Sequence, residues 1–152
     1  MIIRKDMCMK WYYILIIGLM LLIGGCFVFK KDSVPMGERT VEAVKLHFES
    51  FIPKVMQAGA TAIGHNVYFK EKQSDLHPWT NQNHMHYVLH ELCHVIDQYE
   101  EIGIQDYIFG YYGHWVGNGF KYANIPMEKF CNAKMLLQPT ERKRQIILRY
   151  FK

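Results

Sequence analysis

The sequence contains no Cys-x-x-Cys pair. Its four cysteines, Cys8, Cys26, Cys93 and Cys131, are scattered along the chain, which excludes a zinc site made of cysteine alone. It also lacks any run of Lys and Arg interleaved with aromatic residues. The net charge is a mild +4, with the basic residues gathered at the two ends, so a nucleic-acid groove is excluded and no nucleic acid is expected as a partner. No internal repeat and no low-complexity run occurs, which rules out a repeat array. The sharpest absence is local: residues 11–29, from Trp11 to Phe29, carry no charged side chain.

That charge-free stretch is long enough to matter. About 20 apolar residues, rising about 1.5 Å each, cross a bilayer core. Arg4, Lys5 and Lys10 precede the stretch, Lys30 and Lys31 close it, and Trp11, Tyr12 and Tyr13 fit an aromatic belt at its edge. The segment predicts an N-terminal transmembrane helix and a single-pass membrane protein. A cleaved signal peptide is disfavoured, because no Ala-x-Ala-like site follows. Ile23-Gly24-Gly25-Cys26 resembles a lipobox, so a lipoprotein anchored at Cys26 is the competing reading. Phe27-Val28-Phe29 carries the apolar run past that cysteine and favours the uncleaved anchor. Three basic residues before the span against two just after it place the following domain on the extracytoplasmic side by a narrow margin. The organisation read from the sequence is an anchor over 1–31, a linker over 32–40 and one domain over 41–152, a length that supports one modest core.

Within that domain, Val41, Val44, Phe48 and Ile52 have helical spacing and predict a helix ended by Pro53. Thr61 to Lys70 predicts a strand bent at Gly64. After the polar segment Glu71–Thr80, Asn81 or Asn83 can cap a helix. The apolar stripe of that helix, Met85, Val88, Leu89, Leu92, Val95, Ile96 and Tyr99, recurs at intervals of three and four, and Gly103 is placed to end it. A less regular helix follows over Ile104–Val116, broken by Gly117-Asn118-Gly119. Another opens at Pro126 and runs to about Leu137, and a last one starts at Pro139-Thr140. The expected fold class is therefore α+β and mainly helical, with a short strand or hairpin before the long helix, plus the N-terminal transmembrane helix. The last helix sets Arg142, Lys143, Arg144, Arg149 and Lys152 beside Ile146, Ile147, Leu148 and Phe151. That pattern suits an anionic membrane surface or, more ordinarily, a solvated basic face over a core stripe. Cys93 and Cys131 could pair in an exported domain, but two buried thiols are the expectation, because free Cys is commonly a core residue.

The chemistry sits on the long helix, in His90-Glu91-Leu92-Cys93-His94. Histidines at i and i+4 project from one helix face about one turn apart, so both rings can reach a single zinc ion. Glu91 is turned by about 100° from His90, a placement that suits it to a water on the ion rather than to the ion itself. Zinc lowers the pKa of such a water toward neutrality, and Glu91 can take its proton and later pass it to a leaving amine. His86 extends the stripe but lies two turns from His94, too far to share an ion; His84 and His86 are read as solvated or substrate-edge residues. A catalytic zinc needs a third protein ligand. Glu100 has the spacing of the longer HExxHxxGxxH pattern, but Asp97 stands where that pattern needs Gly. Glu128, near the start of the helix opened by Pro126, is the second and better-placed candidate. Asp97 and Asn132 could each orient a ligand histidine through its other ring nitrogen. A donor to the oxyanion is sought among Tyr111, Tyr112, His114 and Tyr122, with His114 favoured.

Taken together these stretches resemble the small HExxH domains of the glutamate-zincin (gluzincin) type found in extracellular contractile injection clusters. The matching part runs from Gly59 to about Leu137. It comprises Gly59-Ala60-Thr61-Ala62-Ile63-Gly64-His65-Asn66, then Leu89 to Val95 followed by Gln98-Tyr99, then Asn124-Ile125-Pro126-Met127-Glu128. The departures are Ile125, inserted between Asn124 and Pro126, and Cys131 in a position where Ala is usual. The resemblance implies a zincin-like fold with His90, His94 and Glu128 as zinc ligands and Glu91 as general base. The function expected is a membrane-tethered zinc metallopeptidase acting on a protein or peptide. The alternative is a membrane-anchored binding or assembly protein whose zinc site is structural or vestigial.

Overall fold

The computed structural model describes residues 34–55, 58–119 and 124–152. The expected anchor over 1–31 and the lipobox-like Cys26 lie outside these residues. Among the described residues no helix is long and apolar enough to cross a membrane.

The architecture is mixed α+β, mainly helical, with one small sheet. Residues 41–52 do not form the expected helix. Val41–Ala43 make a turn and Lys45–His47 form strand β1. The spacing of Val41, Val44, Phe48 and Ile52 is compatible with a helix, but Val44 and Leu46 are buried while Lys45 and His47 face out. That alternation has the two-residue period of a strand. Pro53 then falls inside a single helical turn, α1 (Ile52–Val55), where a missing N–H costs nothing. β2 (Ala60–Ile63) and β3 (Asn66–Phe69) form an antiparallel hairpin closed through Gly64 and His65. Gly64 takes a positive φ of 58°, which a side chain would disfavour. β1 lies parallel to β3 in the order β1-β3-β2, with Leu46 opposite Val67. His47 stacks on Tyr68 at 4.7 Å between ring centroids and hydrogen-bonds Asn66 at 2.9 Å.

α2 (Gln82–Cys93) packs on this sheet. Asn81 caps it, its side chain accepting from the backbone N–H groups of Asn83 at 3.0 Å and His84 at 3.4 Å. Val88, Leu89, Leu92 and Val95 form one core with Val44, Leu46, Val67 and Phe69 of the sheet and with Ile146, Ile147 and Phe151 from the chain's end. Beyond Cys93 the helix widens into a π-type segment over His94–Tyr99, then returns to α geometry in α3 (Glu100–Gly117). Gly103 breaks α3 near its start with φ 80° and ψ 162°, a conformation reserved for glycine. α4 (Pro126–Lys134) opens with Pro126 in its first turn. α5 (Glu141–Tyr150) is capped by Thr140. α5 turns Ile146 and Ile147 into the core, and its Lys143 is buried against Asp97. Its basic face is thus partly consumed by internal ion pairs.

One such pair ties the domain's two ends together. Glu100, only 1% exposed, accepts from Arg142 Nη2 at 2.7 Å and meets His65 Nε2 at 3.0 Å. Arg142 also donates to the Thr40 carbonyl at 2.9 Å. Arg39 donates to the backbone of Glu100 and of Val34, each at 2.9 Å.

Candidate metal centre

His90 on α2 and His94, the first residue of the π-type segment that continues it, stand one turn apart, and their Nε2 atoms are 3.1 Å apart. α4 brings Glu128 to both. One carboxylate oxygen is 3.0 Å from His90 Nε2 and the other is 3.3 Å from His94 Nε2. Ligand atoms held about 2.0–2.1 Å from one tetrahedral zinc stand about 3.3–3.4 Å from each other. The two ring nitrogens and the two carboxylate oxygens thus lie at spacings near that value, and one ligand atom from each side chain lies within 4.8 Å of the others. His90, His94 and Glu128 are also the group of chelating side chains that could hold a metal ion among the described residues. The cluster is nearly sealed: the side chains of His94 and Glu128 are 4% and 1% exposed, while that of His90, at 12%, opens toward solvent.

The electrostatics follow from this packing. Burial alone would raise the pKa of Glu128, but hydrogen bonds from His90, His94 and Tyr111 outweigh it and hold the carboxyl well below the usual range. Burial alone would likewise lower His94, but its bond to Glu128 and the charges of Glu91 and Glu128 outweigh it and push the imidazole up. Burial pushes Glu91 upward, against the lowering influence of the two histidines. Glu91 is 4% exposed. Among the described residues no hydrogen bond engages its carboxylate, which lies close enough to the cluster to feel the charges of His94 and His90.

Three further contacts brace the ligands. Gln98 Oε1 meets His94 Nδ1 at 2.9 Å, and Gln98 Nε2 donates to the Met127 carbonyl at 2.8 Å. One side chain thus orients a histidine and grips the residue just before Glu128. Tyr111 donates to Glu128 Oε1 at 2.8 Å, with its ring edge-on to His94 at 6.4 Å. Cys93 and Cys131 are not the two thiols expected: they form a disulfide, with Cα atoms 5.6 Å apart. Cys131 Sγ lies 3.6 Å from His94 Nδ1. The pair was open to either reading in the sequence. It is joined because α4 crosses α2 with these two positions in register.

The remaining candidates lie elsewhere. Glu100 faces Arg142 and His65, away from the histidines it was weighed against Glu128 to serve. Asp97 pairs with Lys143, so Gln98 takes the orienting contact instead. Asn132 is exposed on α4. His114 is exposed on α3, about one turn beyond Tyr111, and it is Tyr111 whose hydroxyl reaches the cluster. His84 accepts from the His77 N–H at 3.0 Å, and His86 approaches Gln82 at 3.5 Å. Sequence reasoning missed Gln98 as a brace. The available signal was its position, four residues beyond His94 on the same helix face. No protein-family model, curated protein or solved structure matches this chain.

Proposed function

We propose that the chain is a zinc-dependent metallohydrolase of zincin-like fold, acting on peptide bonds and tethered to a membrane through residues 1–31. The observation that carries this reading is the convergence of His90, His94 and Glu128, each offering a ligand atom within 4.8 Å of the others. Zinc held there supplies a Lewis acid that polarises a substrate carbonyl and acidifies water. The chain's own residues do the rest. Glu91, buried beside the two histidines, takes the proton of the attacking water and returns it to the leaving amine. Tyr111 takes the oxyanion-donor role in preference to His114, because its hydroxyl already lies at the cluster. Gln98 keeps His94 in the tautomer that presents Nε2 to the metal. The Cys93–Cys131 disulfide supports an extracytoplasmic address, where disulfides persist.

The near-complete burial of His94 and Glu128 favours a second reading, a structural zinc in a membrane-anchored assembly protein. Glu91 beside the cluster supports the catalytic one, because a structural site has no use for a base there. Metal analysis of the full chain purified in detergent tests the proposal. About one zinc per chain is expected, lost in His94→Ala. Substoichiometric zinc that is indifferent to that substitution overturns it. Zinc without cleavage of any member of a peptide library decides for the structural reading.

A further inference from the structure

We propose that the Cys93–Cys131 disulfide is a positioning element of the metal centre: it holds the helix that carries Glu128, and its reduction disables zinc binding. The inference rests on the zinc site proposed above.

α4 has little apolar surface to hold it in place. The buried residues of α4 are Glu128 and Cys131. Cys131 is the one buried apolar side chain of α4, and no residue of Pro126–Lys134 joins the main hydrophobic cluster. Phe130, the one large aromatic residue of α4, is 43% exposed. A surface helix is normally fixed by an apolar stripe. This one is fixed by Ile125 just before it, by the Gln98–Met127 and Tyr111–Glu128 hydrogen bonds, and by one covalent bond. That bond is placed where it bears on the ligands. Cys93 is the residue immediately before His94, and Cys131 lies three residues after Glu128 on the same face. The disulfide therefore joins the two ligand-bearing helices within one turn of both ligands, across a sequence separation of 38. Without it, Glu128 is held beside the histidines by its polar contacts and by the apolar residues that flank α4, Ile125 before it and Met135 after it. A reducing compartment would then leave the two histidines without a fixed third ligand, and exchange with an oxidised dithiol after export, which takes up the two electrons and two protons and becomes a dithiol, would complete the site.

The chemistry of the switch is simple. A trialkylphosphine attacks one sulfur and the S–S bond breaks. Water supplies oxygen to the phosphine and protons to the two sulfurs, giving phosphine oxide and two thiols. A phosphine also avoids adding a thiol that competes for zinc.

The test uses the full chain in detergent micelles, oxidised and phosphine-reduced, together with a Cys93→Ala/Cys131→Ala double variant that removes the two thiolates which reduction would free beside the site. Zinc affinity is read by competition with a chromophoric chelator, cobalt(II) coordination by its visible d–d bands, and helix content by far-ultraviolet circular dichroism. The expected result is a loss of zinc affinity of about 10- to 100-fold on reduction, as for other groups that orient ligands, with helix content retained. The cobalt bands weaken as the site opens to water, the double variant matches the reduced chain and ignores phosphine, and reoxidation restores the reduced chain. Affinity within twofold of the oxidised chain overturns the proposal and leaves the zinc site standing. Loss of zinc together with loss of helix also overturns it, because the disulfide then serves the whole fold. An oxidised chain that binds no zinc sinks both this inference and the function it rests on.

Discussion

Replacing Gln98 by Leu isolates what orientation contributes to the metal centre. Leu is close to Gln in volume, so the packing of a residue that is 7% exposed is largely kept. What disappears is the 2.9 Å contact to His94 Nδ1 and the 2.8 Å bond to the Met127 carbonyl. The first fixes the ring that presents Nε2 to the metal; the second fixes the backbone beside Glu128. Losing the outer partner of a ligand histidine typically weakens metal binding by about 10- to 100-fold, which is about 1.4–2.8 kcal/mol. Leaving the two former partners unsatisfied costs the metal-free fold about 1–3 kcal/mol for each that stays dry. Zinc affinity by chelator competition and stability by urea unfolding separate the two effects. Asn81→Ala serves as the reference. It removes the cap of α2, far from the metal, and should cost about 1 kcal/mol of stability with zinc affinity unchanged. If Gln98→Leu binds zinc as tightly as Asn81→Ala does, the orienting role is refuted, however much stability is lost.

Other outcomes follow from the same geometry. Glu91→Gln should keep its zinc and lose about 100-fold or more in peptide hydrolysis, the usual worth of a general base; retained turnover in a peptide assay would assign the base elsewhere. Glu128→Ala should abolish tight zinc binding while Glu100→Gln spares it, as read by elemental analysis, and the reverse pattern would exchange the third ligand. Arg142→Met strips the main partner from a buried carboxylate and should cost about 3 kcal/mol in urea unfolding, whereas a loss below about 1 kcal/mol would mean that His65 suffices for Glu100. For the metal-free chain the pH response follows from three signs. His94 is raised above its ordinary 6.5, so its contribution is full below that value and is lost as pH rises through the folded value. Glu128 is lowered from its ordinary 4.5, so its contribution is present above that value and is lost as pH falls. Glu91 is raised from 4.5, so its burial destabilises the fold increasingly as pH rises beyond that. The metal-free chain should therefore be most stable between about pH 4.5 and 6.5 and melt at lower temperature by pH 8. The zinc-loaded chain should not, because zinc replaces the proton on His94. Scanning calorimetry at several pH values checks this, and a metal-free Tm that climbs from pH 6 to 8 contradicts it.

Much of the helical framework is readable along the chain because its signals are local. Asn81 caps the helix of the motif, Gly103 breaks it, Pro126 opens the helix of Glu128 and Thr140 starts the last one. The three side chains that cluster were each readable too, since i, i+4 histidines share a face and Glu128 sits in a first helical turn. What stayed hidden is non-local. β1 is a strand because β3 offers it a parallel partner, and nothing within residues 41–52 encodes that partner. The disulfide depends on how α4 crosses α2. Asp97 and Glu100 could not be assigned until Lys143 and Arg142, more than 40 residues away, arrived beside them. Gln98 lay in plain view, but its use requires the Met127 carbonyl from another helix.

The knot of Arg39, Glu100 and Arg142 has a mechanical consequence. If the chain ahead of Val34 is fixed to a membrane, any pull on the domain arrives at residues 34–40. Those residues are fastened by Val34 N–H and Arg39 to the backbone of Glu100, and by the Thr40 carbonyl to Arg142. The load enters at that node and divides between the start of α3 and α5. The helix of Glu128 follows α3 and precedes α5 in the chain, and Tyr111 of α3 donates to Glu128 itself. A pull on the tether would therefore act on the start of α3 and on α5 before it reaches the helix between them.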